Sequence, residues 1–194
     1  MKRFLLLLAA AIIVALGLTG ISSAYFSDTE ISEGIIITGG TTELQVDGQV
    51  DFYFEFDKGT IKQGASGTAT IELSNTGSTN GVADLRIMNL VNYENGCKKG
   101  EKKVDGTPGK FEGELGAYLL VTITYNGNPV YLPGDGDAVA DMPLDNLNGE
   151  NLILGGLAAQ DTRIVEIAWE LPGGVGEIIK SDSVSFCTEF SLGW

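Results

Sequence analysis

The side chains best suited to chemistry are carboxylates, and they crowd one stretch. Between Pro133 and Glu150 stand Asp135, Asp137, Asp141, Asp145 and Glu150. A calcium ion takes about 6–8 oxygen ligands, and carboxylates spaced along a loop can supply several of them. Asp135, Asp137 and Asp141 are therefore the calcium candidates of the sequence. The EF-hand spacing is not met, however, and a solvated acidic loop explains the same residues. Other chemistry has less to work with. The 194 residues contain no histidine, which removes the commonest zinc ligand and the usual general base of serine and cysteine hydrolases. Neither Gly-x-Ser-x-Gly nor Ser-x-x-Lys occurs. Acidic pairs such as Asp51 and Glu55 fall on a strand face that alternation gives to solvent. The expectation is a protein that is not an enzyme and holds no cofactor, with calcium at the acidic loop as the alternative.

Two cysteines, Cys97 and Cys187, complete the reactive inventory. In an exported chain an even pair reads most simply as one disulfide. Closing so long a loop is worth roughly 4–5 kcal/mol in the chain-entropy model, before native strain is subtracted. Two free structural thiols are the alternative.

The elements that would position these groups are strands. Val50, Phe52, Phe54 and Phe56 alternate with Asp51, Tyr53 and Glu55, the period of a half-buried strand. Ala69, Ile71 and Leu73 form a second such run, and Ala83, Leu85 and Ile87 a third, separated by the turn formers Asn75 to Gly81. Leu119, Val121, Ile123 and Tyr125 lead into Asn126-Gly127, a tight-hairpin signal, with Val130 to Leu132 returning. Val165, Ile167, Trp169 and Leu171 make a further strand. Val184, Phe186, Phe190, Leu192 and Trp194 share one parity, which Cys187 does not. Pro143 to Asn148 suits one helical turn, and Leu152 to Ala159 reads either way. No long 3.6-residue apolar period appears. The pattern predicts an all-β fold, a single antiparallel β-sandwich of the jelly-roll or immunoglobulin type over residues 41–194.

Ahead of it, Met1 to Ala24 reads as a secretory leader. Lys2 and Arg3 precede the apolar run Phe4 to Leu18, and Ser22 and Ala24 put small residues where a signal peptidase inspects them. Cleavage is expected between Ala24 and Tyr25, and an uncleaved anchor is the alternative. Without the two basic residues of the leader, 10 basic residues face 26 acidic ones, a net charge of −16. Such a surface repels nucleic acid and anionic membranes and attracts cations. After cleavage no stable membrane insertion is expected. Residues 25–40 are then a segment apart: Tyr25, Phe26, Ile31, Ile35, Ile36 and Ile37, ending on Gly39-Gly40. Its β-branched density says strand. It fits a first strand of its own sheet and equally a strand donated to a neighbouring subunit.

The junction Ala24-Tyr25-Phe26-Ser27-Asp28, followed by Gly40-Thr41-Thr42-Glu43-Leu44, resembles the TasA/camelysin family of biofilm-matrix fibre proteins. So do Thr68 to Ser74, the turn Asn75-Thr76-Gly77-Ser78, and Ala83 to Ile87. Trp169-Glu170-Leu171-Pro172 before Ser181 to Phe186 is similar to the family's closing strands. The cysteine pair fits the archaeal bundling-pilus relatives better than the bacterial fibres. The resemblance implies a jelly-roll subunit, a dedicated type I signal peptidase, and an extracellular filament of identical subunits. In it the N-terminal strand, Tyr25 to Thr38 here, would complete the next subunit's sheet with Gly39-Gly40 as hinge. The alternative function is a non-polymerising surface adhesin or carbohydrate-binding sandwich. The metalloprotease label of the camelysin branch does not transfer to a chain without histidine.

Overall fold

A computed structural model describes residues 28–30, 42–55, 61–96, 100–107, 109–134 and 136–193. The leader, Tyr25, Phe26, Ile31, Ile35, Ile36, Ile37, Gly39 and Gly40 lie outside the described residues, as do Phe56, Cys97, Asp135 and Trp194.

The described chain is all-β, with two sheets and every strand pair antiparallel. Its strands in chain order are β1 (Asp28–Glu30), β2 (Leu44–Gly48), β3 (Asp51–Glu55), β4 (Ser66–Asn75), β5 (Gly81–Tyr93) and β6 (Leu120–Tyr125). There follow β7 (Asn128–Pro129), β8 (Met142–Pro143), β9 (Asn151–Leu157), β10 (Thr162–Glu170) and β11 (Ser183–Gly193). The first sheet runs β9-β5-β11, with β1 and β3 both on the free side of β11. The second runs β2-β4-β10-β6-β7, with β8 also on β6.

From β2 to β6 consecutive strands alternate between the sheets, and β9, β10 and β11 do so again. The Asn75 to Gly81 turn is therefore a corner between sheets and not a hairpin. Polar side chains staple it to the corner leaving β9. Buried Asn75 donates to Thr79 O (2.8 Å) and Leu157 O (3.2 Å) and accepts from Gly77 N–H. Gln160 donates to the carbonyls of Thr76 and Gly77. A buried amide with these partners carries no desolvation penalty. The β6–β7 connection is the tight hairpin its sequence predicts, with Asn126 at φ 50° and Gly127 at φ 77°. Two positive φ values are what the right-handed strand twist asks of a two-residue turn.

Period two delivers one buried cluster from both sheets. Ile71, Leu73, Val121, Ile123, Val165 and Ile167 come from the second sheet, and Phe52, Leu85, Ile87, Phe186 and Phe190 from the first. An aromatic stack crosses between them. The Phe52 and Phe186 rings lie 4.7 Å apart and nearly parallel, and Phe54 meets Trp169 of β10 edge-on at 5.0 Å. The ambiguous stretch after Glu150 is β9. Gly155, at φ 129°, sits beside a register shift against Ala83 and Asp84. That bulge lets Leu152, Leu154 and Leu157 all be buried although they break a strict alternation. The helical turn expected near Pro143 is a 3-10 turn, Leu144–Leu147.

Candidate functional site

Two features could act on something outside this chain: the free side of β11, and a group of buried carboxylates at its start. β11 pairs with β5 along nearly its whole length. Its other side is shared in tandem by segments far apart in sequence. Asp51–Glu55 covers Cys187 to Ser183, and Asp28–Glu30 covers Leu192 to Phe190. Thr188 N–H donates to Val50 O at 2.9 Å, so the two strands abut with only Glu189 between their pairings. Phe190 and Leu192 are buried on the core face of this stretch. β1 also lies beside β2, the edge of the other sheet. The piece just after the expected cleavage point thus caps the flank where both sheets have an edge. Of the segment 25–40, only Asp28–Glu30 has described backbone.

The second feature gathers Glu94, Glu114 and Asp182. Glu94 follows β5, Glu114 precedes the helical turn Leu115–Tyr118, and Asp182 precedes β11. One oxygen of each lies within 4.8 Å of the others. Local backbone geometry puts them there. Ser181 adopts φ 83°, a left-handed conformation uncommon for serine, and its hydroxyl donates to Gly96 O at 2.9 Å. The reversal buries Asp182 completely, where Oδ2 accepts the Glu114 N–H at 2.7 Å. Glu94 Oε1 accepts the Gly96 N–H at 2.8 Å, and Glu114 Oε1 accepts from the Thr107 hydroxyl. The remaining oxygens, Glu94 Oε2, Glu114 Oε2 and Asp182 Oδ1, are buried and have no hydrogen-bond partner.

Crowding three carboxylates in a site where Glu94 and Asp182 are buried and Glu114 half-buried favours protons. Burial first, then the charges of Glu94 and Glu114, push Asp182 from 3.8 up to about 8, against the opposing Glu114 N–H bond. Glu114 is also raised, chiefly by burial, with Asp105 and Glu94 adding to the effect. A carboxyl raised on folding contributes stability that is complete below the unfolded pKa and is lost as pH climbs through the folded one. In chelator-treated buffer, stability should therefore fall between about pH 4 and about pH 8. Asp182→Asn keeps an acceptor for the Glu114 N–H and mimics the protonated acid. It should flatten part of that slope, being more stable than the parent at pH 8 and equal to it at pH 4. Thermal melts across this range check the expectation, and parallel curves for the two proteins would refute it.

Among its described residues the acidic loop does not gather. Asp137 and Asp141 are exposed, Asp141 is bound through Oδ1 and its N–H to the Thr122 hydroxyl, and Asp145 Oδ1 accepts from Asn92. The Glu94–Glu114–Asp182 group escapes a sequence reading because its members are 20 and 68 residues apart, each at the end of a different element.

The expected disulfide is corrected. Cys187 is a free thiol. Its sulfur accepts from Asn89 Nδ2 at 3.3 Å and lies 3.5 Å from Met88 O. Parity had put the thiol off the apolar stripe but said nothing of its level along the strand. The chain entering residue 97 is held at the other end of β11, where Asn95 donates to Ser183 Oγ and Gly96 O accepts from Ser181. Ser183 and Cys187 are four residues apart, roughly 13 Å along a strand, whereas bridged Cα atoms lie about 4.4–6.8 Å apart.

Among the described residues no helix is long and apolar enough to cross a membrane. Neither a protein-family model nor a curated protein sequence matches this chain.

Proposed function

We propose that this protein is a secreted structural subunit of an extracellular fibre, polymerising head to tail by donor-strand complementation. In this reading Met1 to Ala24 is removed by a type I signal peptidase, and residues 41–194 close as a jelly roll. Residues 25–40 then pass to a neighbouring copy, with Gly39-Gly40 as the joint. The observation that carries it is the tandem occupancy of β11. The flank beside Phe190 and Leu192 accepts an added strand, and the strand found on it is Asp28–Glu30, the beginning of the segment in question. An edge that binds its own N-terminal strand binds the same strand from an identical neighbour by the same hydrogen bonds, as in domain swapping. Such a contact is heterologous and does not close on itself, so it extends into a filament. It also covers an edge that would otherwise pair at random. The alternation of strands between sheets supports the jelly-roll assignment, and the resemblance to the TasA/camelysin fibre proteins points the same way.

A covalent trap tests the reading. Thr29 and Ser191 are opposite one another, and directly opposed residues in antiparallel strands have Cα atoms about 4.5–5.5 Å apart, within disulfide reach. With Cys97→Ser and Cys187→Ser as background, Thr29→Cys with Ser191→Cys should oxidise in filaments to a ladder of covalent oligomers on non-reducing gels. Electron microscopy of the same sample should show fibres, and mass spectrometry should find Tyr25 at the extracellular N-terminus. Only intrachain closure, with a chain that stays monomeric at high concentration, would replace the fibre by a non-polymerising adhesin.

A further inference from the structure

We propose that Glu94, Glu114 and Asp182 bind one divalent cation, calcium by preference, and that the ion fastens the segment between β5 and β6 to the start of β11. Three observations converge on this. The carboxylates supply one oxygen each within 4.8 Å of one another. Two oxygens on a single calcium, each about 2.3–2.6 Å from it, can be at most roughly 5 Å apart, so the three fit around one ion. The unused oxygens are buried. Asp182 is fully buried and Glu94 nearly so, yet with the acids ionised Asp182 Oδ1, Glu94 Oε2 and Glu114 Oε2 have no partner, and a proton shared between Asp182 and Glu94 is the occupant an ion would displace. Buried polar atoms are almost always satisfied, and such orphans point to an ion or a water.

Each carboxylate is, third, held from behind by a donor on its other oxygen: the Gly96 N–H, the Thr107 hydroxyl and the Glu114 N–H. Bonds of that kind fix the ligand orientation and leave one lone-pair face for a metal. Neither of the ion pairs among the described residues, Arg163 with Asp161 and Lys180 with Glu177, involves the three carboxylates.

The donor set selects the ion. Among the described residues it is oxygen only, and the chain has no histidine, which suits hard cations and not zinc or copper. Magnesium requires near-ideal octahedral geometry and keeps most of its water, whereas calcium accepts irregular sets with one- or two-toothed carboxylates. Extracellular calcium sites work at about 10⁻⁴–10⁻³ M, the range expected of a site with three protein carboxylates and the rest water. This is a different place from the exposed loop around Asp137 and Asp141.

The test uses the purified protein after chelator treatment, with calcium chloride as the probe. Calorimetry should give one ion per chain, and magnesium should bind more weakly. At calcium a hundredfold above Kd, Tm should rise by roughly 5–10 °C, and proteolysis of the segment 97–108 should slow. Glu94→Gln with Asp182→Asn should abolish the shift while remaining folded, because both amides keep the acceptors used by Gly96 and Glu114. Asp137→Asn with Asp141→Asn should leave the shift intact. No response up to about 10 mM calcium, well above the extracellular range, would overturn the site and leave a shared proton in its place. An equal response in the Glu94/Asp182 variant would overturn it in favour of diffuse binding to the acidic surface. A calcium shift that appears only after Lys98 and Lys99 are replaced would also overturn it, making lysine the counter-charge. None of these outcomes depends on whether the protein forms fibres.

Discussion

A chain lacking residues 29–38, with the junction from Ala24 to Asp28 kept for processing, should be secreted and folded but should form no filaments at any concentration. The buried cluster described is supplied by residues 44–192, and both sheets should survive the loss of the segment with a β-type circular dichroism spectrum. What disappears is the strand that covers Phe190 to Leu192 of β11. Each subunit contact in the proposed fibre is made of that strand, so the deletion removes every contact at once and the loss should be total. Negative-stain microscopy and sedimentation of the secreted protein read the result. Filaments at normal yield would remove the N-terminal segment from the joint and require another interface.

Phe186→Ala should lower stability by about 3–5 kcal/mol, the usual range for emptying a buried aromatic site. Phe186 is buried in β11, its ring parallel to that of Phe52 on β3 and in line with Phe54, which leans on Trp169 from the opposite sheet. The substitution leaves a cavity where the two sheets meet. It also strips the short strand β3 of its main apolar partner, which adds the extra roughly 0.5–1.5 kcal/mol of a stacked pair. For a domain of this size the fall in Tm should be roughly 6–20 °C. Tyr131→Ala, at an exposed aromatic, should change stability by no more than about 0.5 kcal/mol. Equal melting curves for the two variants would mean that the stack contributes little.

How much of this could be read from the chain depends on the range of each interaction. Alternation along Ala83, Leu85 and Ile87, or along Val165 and Ile167, is local, and those residues are the buried ones. Asn126-Gly127 announces its turn because few residue pairs tolerate two positive φ values. The Asn75 to Gly81 segment is equally rich in turn formers, but composition does not say whether a turn stays in one sheet or passes to the other. The short helix Leu115–Tyr118 is too brief to print a period. β9 hid because Gly155 shifts the parity halfway along. The carboxylate group and the level of Cys187 are both products of register between β5 and β11, and register is a property of strand pairs, with no trace in either strand alone. That is why the disulfide expectation failed while the strands around it held.

The tandem edge has a further consequence, for the order of events in folding. β11 pairs with β1, β3 and β5, all of which precede it in the sequence. A chain that emerges N-terminus first must hold those partners in waiting until 90 residues after Tyr93, 128 after Glu55 and 160 after Glu30 have appeared, and contacts of such sequence separation close slowly. Throughout that interval the N-terminal strand has no partner in its own molecule, while any finished neighbour nearby offers one. Capture between molecules then competes on favourable terms with closure within one. In the proposed fibre, slow completion, usually a hazard for a β protein, would become the time window in which one subunit is joined to the next.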